Sequence, residues 1–568
     1  MKGSEAIVKS LLAEKVKHIF GIQGGAIMEV YDVLYGIEAS EMRHILVRHE
    51  QTAAHAAAAY ARASGKVGVC MATSGPGATN LVTGITDAYC DSDPVVALTG
   101  QVATKLIGND AFQEADIVGI TMPVTKHNYQ ITDAKDIPRV FKEAFTIART
   151  RRPGPVLIDL PKDVQQQDLK EFKYPEKTSI QGYKPENPKV HPMQVKRAVE
   201  LLMGAERPVI LAGGGVTISN ASAELLELSQ TLNIPVTTTL MGKGCFSENH
   251  ALALGMIGMH GRKTANLMVT ESDVLLAVGC RFSDRITGDV KHFAPDARII
   301  HIDIDSAEIG KNVQAHTPIV GDAKSVLHEM IKVVGKKRAK GNTEWNRKLK
   351  QYKKEFGLDW NQECCPVKSQ RVMKELDSLI DKKTIVTTEV GQCQMFAAHY
   401  LHIKEPRKFI TSGGLGTMGA GFPYSIGAKM AKPDHWVVDV GSEGSFLMTC
   451  QDLATCKEED IPVTVLLLKN KYLGMVKQWQ DLFYGERRSN TFLGDTPDFV
   501  KLAEAFGAKG IRVEKASEIS DALKTAKKSG ETHVIDVLVD PHEHILPMVP
   551  SGGKIHEMIE KHHLEKKK

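Results

Sequence analysis

Eleven short apolar runs, nearly unbroken by polar residues, recur along the 568-residue chain. The early ones are VGVCMAT (67–73), PVVALTG (94–100) and GPVLIDL (154–160). RPVILAGG (207–214), IPVTTTL (234–240), DVLLAVG (273–279) and ARIIHIDID (297–305) follow. The last are TIVTTEVG (384–391), HWVVDVG (435–441), PVTVLLL (462–468) and HVIDVLVD (533–540). A strand with one wet face alternates apolar and polar residues, whereas a parallel strand covered on both faces does not. Helical stretches such as QTAAHAAAAYARASG (51–65) lie between the runs. This alternation predicts an α/β fold of doubly wound parallel sheets.

Two stretches break the alternation. Residues 164–192 are polar and contain prolines, and residues 335–367 carry a Lys/Arg run ending in CCPV. Read as connections, they divide the chain into three domains of about the usual size, 1–165, 190–335 and 367–550. The tail HHLEKKK (562–568) is expected to fray.

The net charge of +4 is local in origin: residues 336–354 hold nine Lys or Arg against the single acid Glu344. The remainder is near neutral, which argues against a nucleic-acid face and for a solvated helical connection. The nine cysteines form no CxxC pair, so a zinc site is not expected, and scattered thiols suit a reducing, cytoplasmic setting. The N-terminus, MKGSEAIVKSLLAEKVKHIFG, is interrupted by Lys and Glu too often for a signal sequence. No apolar segment reaches the roughly 20 residues needed to cross a bilayer.

Ligands of open α/β sheets bind beyond the carboxyl ends of the strands, which directs attention to four glycine-rich turns: TSGPGATN (73–80), AGGGVTIS (212–219), GGLGTMGAG (413–421) and GSEGS (441–445). The third contains GxGxxG, and Asp439 follows Gly419 by 20 residues, the spacing of a dinucleotide fingerprint with its ribose acid. Pro423 at the expected helix start and the lack of an evident dehydrogenase apparatus weigh against that reading without removing it. The fourth turn offers backbone amides from Gly444 and Ser445 beside one acid, Glu443. Asn470 follows Glu443 by 27 residues, the distance from one strand end through a helix to the next. Amides for phosphate and oxygens for a hard cation are what a metal-clamped diphosphate needs.

An acidic glycine loop followed at that distance by Asn resembles the diphosphate motif of thiamine-diphosphate (ThDP) enzymes. Over roughly residues 1–560 the chain resembles the acetolactate synthase (acetohydroxyacid synthase) large-subunit family. The blocks carrying the resemblance are RHEQ (48–51), SGPGATN (74–80), NDAFQE (109–114), RPGPVLIDLPKDV (152–164), LMGKG (240–244), GMHG (258–261), RFSDRITG (281–288), HIDID (301–305), GGLGTMG (413–419) and GMVKQWQ (474–480). It implies ThDP-binding outer domains around a central FAD-binding-like domain. It also implies decarboxylation of pyruvate and carboligation to a second 2-ketoacid, pyruvate or 2-oxobutyrate. The products, 2-acetolactate and 2-aceto-2-hydroxybutyrate, are precursors of valine, leucine and isoleucine.

The resemblance also implies roles. Glu50 would hydrogen-bond the aminopyrimidine of ThDP, in a setting kept small by Ala53 and Ala54. Gly25, Phe112 and Gln113 would stand in the active site, with Lys162 near its mouth. Met418, flanked by Gly416, would hold the coenzyme bent, so that GGLGTMG serves the pyrimidine and not a nicotinamide. Gly391, Gln392, Gly444 and Ser445 would face the diphosphate, and Glu443, Asn470 and Tyr472 would hold Mg²⁺. Arg285 would grip the acceptor carboxylate bidentately. Trp479 and Met475, four apart on one helical face, would shape the acceptor pocket. Arg152, Met259, His260, Gly261, Arg281, Asp303 and Asp322 would surround a structural FAD, whose loss should cost assembly more than electron transfer. A homodimer or tetramer with ThDP sites between chains is implied, and a small regulatory subunit is typical.

Five positions depart from the family pattern: Ser442-Glu443 for the usual Gly-Asp, Cys393 for a His, and Gln23 and Ala103 for prolines. Mg²⁺ binds at about 2.0–2.1 Å with near-ideal octahedral geometry, so the extra methylene of Glu443 implies a shifted loop, another ion or weaker coenzyme retention. The expectation is that Glu443 still ligates, with weakened coenzyme retention. Competing readings are a poorly active paralogue with an assembly role, another ThDP-dependent 2-ketoacid lyase or carboligase, and the NAD dehydrogenase.

Overall fold

All eleven apolar runs form strands, and their burial explains their composition. The strands Gly68–Ala72, Val95–Gln101, Val274–Val278 and Thr464–Lys469 are buried at every position. The structure is a computed structural model and describes residues 1–336, 343–360 and 366–561. Part of the basic run (337–342), the cysteines 364 and 365 and the tail 562–568 lie outside the described residues.

Eighteen strands build three six-stranded sheets, parallel throughout. The first contains β1 (His18–Gly21), β2 (Arg43–Leu46), β3 (Gly68–Ala72), β4 (Val95–Gln101), β5 (His127–Gln130) and β6 (Val156–Pro161). The second contains β7 (Pro208–Ala212), β8 (Val236–Thr238), β9 (Ala253–Met256), β10 (Val274–Val278), β11 (Arg298–Asp303) and β12 (Thr317–Val320). The third contains β13 (Thr384–Thr388), β14 (Phe409–Thr411), β15 (Trp436–Gly441), β16 (Thr464–Lys469), β17 (Lys509–Val513) and β18 (His533–Leu538). Strand order in the first sheet is β2-β1-β3-β4-β6-β5, and the third repeats it as β14-β13-β15-β16-β18-β17. The middle sheet differs: β12-β11-β10-β7-β8-β9 is, read from its other edge, the 3-2-1-4-5-6 order of dinucleotide-binding sheets.

The outer sheets share a core. Ala53, Ala56, Ala57 and Ala59 pack in one cluster with Phe422, Ile426, Phe446 and Val465. The alanine run forms the helix Glu50–Ser64, which meets the helix Gly421–Ala431 at almost backbone distance. A Cβ at Gly427 would fall 1.9 Å from the Ala56 carbonyl oxygen, and one at Gly84 would fall 2.4 Å from the Ala54 Cβ. Small residues are therefore required by a close helix crossing as well as by the neighbourhood of Glu50. Pro423 sits in the first turn of Gly421–Ala431, where a missing N–H costs nothing because that donor has no intrahelical partner.

Polar contacts reinforce this union. Asp87 receives the Ser412 hydroxyl at 2.5 Å and the Tyr424 hydroxyl, with His55 Nδ1 at 3.3 Å. Arg62 pairs with Asp91 and Asp93 and donates to the Thr411 carbonyl. Burial pushes the Asp87 carboxyl up, but His55, Arg62 and Ser412 outweigh it and hold the pKa below the usual value.

The middle sheet has its own core, and the expected solvated connection is docked on it. The helix Glu344–Glu355 buries Trp345 and Leu349 there, and the Trp345 indole donates to the Pro208 carbonyl at 3.1 Å. The stretch after β6 is irregular but packed: Leu169, Phe172, Tyr174 and Ile180 lie against a face of the first sheet.

Candidate active site

Strand order reverses between β13 and β15, which leaves a crevice at their carboxyl ends where open α/β sheets bind ligands. Gly391 and Gln392 follow β13, Glu443 to Ser445 follow β15, and Asn470 to Tyr472 follow β16. Glu443 is only 3% exposed. Its Oε1 accepts the Lys471 backbone N–H, while Oε2 is buried without a partner. Burial raises its pKa to about 7, against smaller opposing contributions from backbone hydrogen bonds. The extra methylene thus carries the acid across to the Asn470–Lys471 turn, where Lys471 has φ +65°. Asn470 Oδ1 accepts the Tyr472 N–H at 2.9 Å, and its amide donates to Gln392 Oε1 at 3.2 Å. Gln392 in turn donates to Gln478 Oε1 at 2.8 Å. Gly474 makes this packing possible: a Cβ there would lie 2.3 Å from Gln392 Oε1 and 2.6 Å from Asn470 Nδ2.

Among the described residues no three His, Cys, Asp or Glu side chains form a metal cluster. A cation fits the crevice nevertheless, because an orphaned buried carboxylate oxygen beside an Asn and a turn of backbone carbonyls suits a hard ion that takes its remaining oxygens from a diphosphate. Cys393, in the helix after Gly391, faces inward with its thiol toward the Glu389 carbonyl at 3.7 Å.

The loop after β14 carries Gly416 and Met418. It is pinned from below by Ser412, whose hydroxyl oxygen accepts the Gly416 and Thr417 N–H groups at 3.0 and 2.9 Å, and by Asp91, which accepts the Gly413 N–H at 2.9 Å. Asp439, the proposed ribose acid of the dinucleotide reading, is fully buried in β15 and accepts the Thr387 hydroxyl at 3.0 Å. It faces no cleft, so the GxGxxG spacing has no ribose partner here.

The first sheet presents a second constellation at its own carboxyl edge. Gly25 follows β1, Glu50 follows β2, Phe112 and Gln113 follow β4, and Lys162 follows β6. Glu50 is buried at the start of its helix, and Asn80 donates to its Oε2 at 3.0 Å. Gln113 has φ +60° and lies against Gly75, where a Cβ would sit 2.7 Å from the Gln113 carbonyl oxygen. Phe112 is 88% exposed.

Arg152, Met259, His260, Arg281, Asp303 and Asp322 border one cleft of about 1400 Å³ that also touches Arg285, Gly416 and Trp479. A smaller cavity of about 70 Å³ is bordered by Gln392, Ser442 and Asn470. Gly391, Met418 and Met475 border both. The cleft opens at the switch between β7 and β10, where Gly213 and Gly215 press against Gly279; a Cβ at Gly213 would fall 2.0 Å from the Gly279 carbonyl oxygen. His260 Nε2 is buried without a partner, and burial holds the ring's pKa down to about 4. Burial lifts Asp303 to about 6. Gly261 lies beneath, with its Cβ position 2.5 Å from the Gly258 nitrogen. Three residues already have partners: Arg152 binds Asp305 and Glu308, Asp303 accepts the Asp305 N–H at 2.9 Å, and Asp322 caps the helix Ala323–Val334 through the Ser325 N–H. Arg285 is largely exposed and touches Asp284 and the Met259 sulfur. Trp479, one turn after Met475 in Gly474–Phe483, turns its ring into the cleft region with Nε1 unpartnered.

The chain therefore gathers the residues of its second and third sheets around connected space. The group of the first sheet (Gly25, Glu50, Phe112, Gln113 and Lys162) borders neither cavity. Three residues unmarked in the sequence prove central to the local wiring: Asn80 on Glu50, Asp87 under the Met418 loop, and Glu389 after β13. The seven-residue block SGPGATN, which ends at Asn80, could have flagged the first; nothing local distinguishes the other two.

Comparison with known proteins follows this layout. Residues 1–120 match the family model described as "Thiamine pyrophosphate enzyme, N-terminal TPP binding domain", 195–330 that of the "central domain", and 389–537 that of the "C-terminal TPP binding domain". A "Probable acetolactate synthase large subunit" of Methanocaldococcus jannaschii is 55% identical, over 100% of this chain and 96% of the relative. An "Acetolactate synthase large subunit" of Buchnera aphidicola is 45% identical over 98% of each chain. One of Haemophilus influenzae is 44% identical over 98% of each.

Proposed function

Because the chain belongs to the acetolactate synthase large-subunit family of thiamine pyrophosphate enzymes, we propose how its residues divide that reaction among them. The protein is a ThDP-dependent transferase of branched-chain amino-acid biosynthesis, which decarboxylates pyruvate and joins the remaining two carbons to a second 2-ketoacid. ThDP supplies the acidic ring carbon that takes up pyruvate and the electron sink that lets CO2 leave.

The chain's own groups bind, orient and manage protons. Glu443 Oε2 and Asn470, with the backbone at Tyr472, would hold Mg²⁺, and the amides of Gly391, Gln392, Gly444 and Ser445 would bind the diphosphate. Met418 supports the coenzyme between its rings, with Gly416 allowing close approach. Glu50 is held by Asn80 through Oε2, which leaves Oε1 to bind the aminopyrimidine and to take or return its proton. Arg285 receives the acceptor carboxylate, Trp479 and Met475 bound the acceptor's side chain, and Phe112, Gln113, Gly25 and Lys162 close the site from the first sheet. The middle cleft, with its dinucleotide-type strand order and the unpartnered His260 Nε2, holds FAD as a structural element; Arg152 exchanges an acidic partner for it.

The observation that carries this reading is the crevice between β13 and β15, where an orphaned carboxylate oxygen, Asn470 and glycine amides adjoin the Met418–Met475–Trp479 wall. The first-sheet group lies outside both cavities, which supports a homodimer in which each site takes Glu50 from the partner's first sheet. Relatives named "large subunit" support a small regulatory partner. The thiols without disulfides among the described residues support a cytoplasmic location. The test is a colorimetric acetolactate assay with pyruvate, ThDP, Mg²⁺ and FAD. Product that requires ThDP and Mg²⁺ is expected; no product at saturating cofactors would favour the paralogue reading.

A further inference from the structure

The third sheet buries an acid that this division of labour does not use. Glu389 follows β13, is fully buried, and collects three donors from two other segments. Its Oε2 accepts the Gly419 N–H at 2.9 Å and the Ser445 hydroxyl at 2.7 Å; its Oε1 accepts the Phe422 N–H at 3.0 Å. Gly419 adjoins Met418, Phe422 lies in the first turn of Gly421–Ala431, and Ser445 belongs to the loop of Glu443. The Gly419 N–H is also shared with the Ser445 hydroxyl at 3.2 Å.

Keeping a carboxyl in this place is expensive, since a buried carboxylate loses its hydration and survives only with good partners. Asp439 adds a second buried acid nearby: a Cβ on Gly441 would touch both, 3.3 Å from Glu389 Cγ and 3.4 Å from Asp439 Oδ2. Burial accordingly raises the pKa of both. Two of the three donors to Glu389, the Gly419 N–H and the Ser445 hydroxyl, come from the two loops assigned above to the middle and the phosphorylated tail of the coenzyme, and the third, the Phe422 N–H, comes from the helix that follows the first of them. A side chain needed only to fill the core would be better served by an apolar residue of the same volume. The helix start at Phe422 adds a favourable dipole for the ionised form.

We propose that Glu389 is a positioning residue that holds the Met418 loop in register with the Ser445 loop, and so sets the bend of bound ThDP. This rests on the coenzyme reading above. The device is simple: the height of Met418 over the crevice is fixed through Gly419, and the phosphate loop is fixed through Ser445, to two oxygens of one rigid group. If the two loops drift by a fraction of an ångström, the coenzyme remains anchored at its tail while its reacting rings lose their mutual alignment.

The test uses full-length holoenzyme with saturating Mg²⁺ and ThDP, comparing wild type with Glu389→Gln and Ser445→Ala. The Gln amide turns N–H donors toward Gly419 or Ser445, and Ser445→Ala removes one donor while leaving both backbone bonds. The readouts are the ThDP dissociation constant, the hydrogen–deuterium exchange rate at the coenzyme's C2 by NMR, and kcat against pyruvate KM. Coenzyme affinity is expected to change less than about tenfold while C2 exchange and kcat fall together about ten- to a hundredfold, the scale of a sub-ångström to one-ångström misplacement. Wild-type C2 exchange in a folded Glu389→Gln protein would reduce Glu389 to a core residue and overturn the proposal. If Glu389→Gln does not fold, Ser445→Ala decides by the same measurement: slowed exchange supports the proposal and unchanged exchange overturns it. Failure of the wild type itself to bind ThDP would instead overturn the coenzyme reading.

Discussion

Glu443 and Lys471 are joined across the carboxyl edge of the third sheet: Glu443 Oε1 accepts the Lys471 backbone N–H, and the equally buried Oε2 accepts nothing. The acid is thus anchored on one side and presented on the other.

A pH dependence follows from this arrangement. Burial raises the Glu443 pKa from 4.5 to about 7, so in the free protein the acid prefers its proton. Its stabilising contribution is fully present below pH of about 4.5 and is lost as pH rises through about 7, amounting to something on the order of 3 kcal/mol. A cation competes for the same oxygen, so Mg²⁺ affinity rises about tenfold per pH unit below 7 and levels off above it. Calorimetric titration of Mg²⁺ and ThDP between pH 6 and 8 should show that slope in wild type, and Glu443→Gln should bind weakly with no slope.

Glu50 should separate binding from turnover. Removing its ionisable oxygen in Glu50→Gln is expected to lower kcat by about 10²–10⁴-fold, the usual scale for a positioned acid–base group, with ThDP still bound. Asn80→Ala should act in the same direction more weakly, because Asn80 only orients the carboxylate. Steady-state kinetics with fluorescence titration of the coenzyme would measure both.

Gly474 tests the crevice by volume alone. An added methyl would meet Gln392 Oε1 at 2.3 Å and Asn470 Nδ2 at 2.6 Å, and overpacking of this kind costs about 1–3 kcal/mol. Gly474→Ala is expected to weaken Mg²⁺ and ThDP binding together while thermal unfolding shifts by only a few degrees.

The Asp87 cluster binds the outer sheets to one another. Asp87→Ala strands His55, Tyr424 and Ser412 in the core, and breaking a buried charged network from one side costs about 3–5 kcal/mol. Chemical denaturation followed by a fluorophore in either outer sheet should show the same lowered midpoint for both, while the middle sheet is less affected.

Subunit sharing has a complementation signature. Co-expressed Glu50→Gln and Glu443→Gln chains, each inactive alone, would pair at random. A mixed dimer then holds one doubly impaired and one intact site, so about a quarter of wild-type activity returns. No recovery in isolated mixed dimers would place each site within one chain.

The sequence made the interiors of the sheets visible and their edges invisible. Every run read from composition lies inside a sheet, whereas β2, β5, β9, β12, β14 and β17, the six edges, escaped, as did the four-residue β1. The reason is burial. HNYQ in β5 has no buried residue and KGIRV in β17 only one, so neither needs the unbroken apolar pattern of VLLAV in β10. The site divides similarly. Glu443 and Asn470 stand at neighbouring strand ends, as one strand–helix–strand spacing expects, and Met475 and Trp479, which the family resemblance pointed to, lie four apart in one helix. Glu389 was not legible: an acid after a strand has no local mark, and its partners at 419, 422 and 445 are set by tertiary contact. The Asp87 contact with Tyr424 spans most of the chain and is beyond any local pattern.

The alanine-lined crossing of Glu50–Ser64 with Gly421–Ala431 also sets an order of events at the ribosome. The first helix emerges early, while the one that shields it is made several hundred residues later, tens of seconds at about 5–20 residues per second. During that interval the nascent N-terminal sheet presents an unshielded stripe of methyl groups, an apolar surface of the kind prone to aggregate until the C-terminal third has been synthesised to cover it.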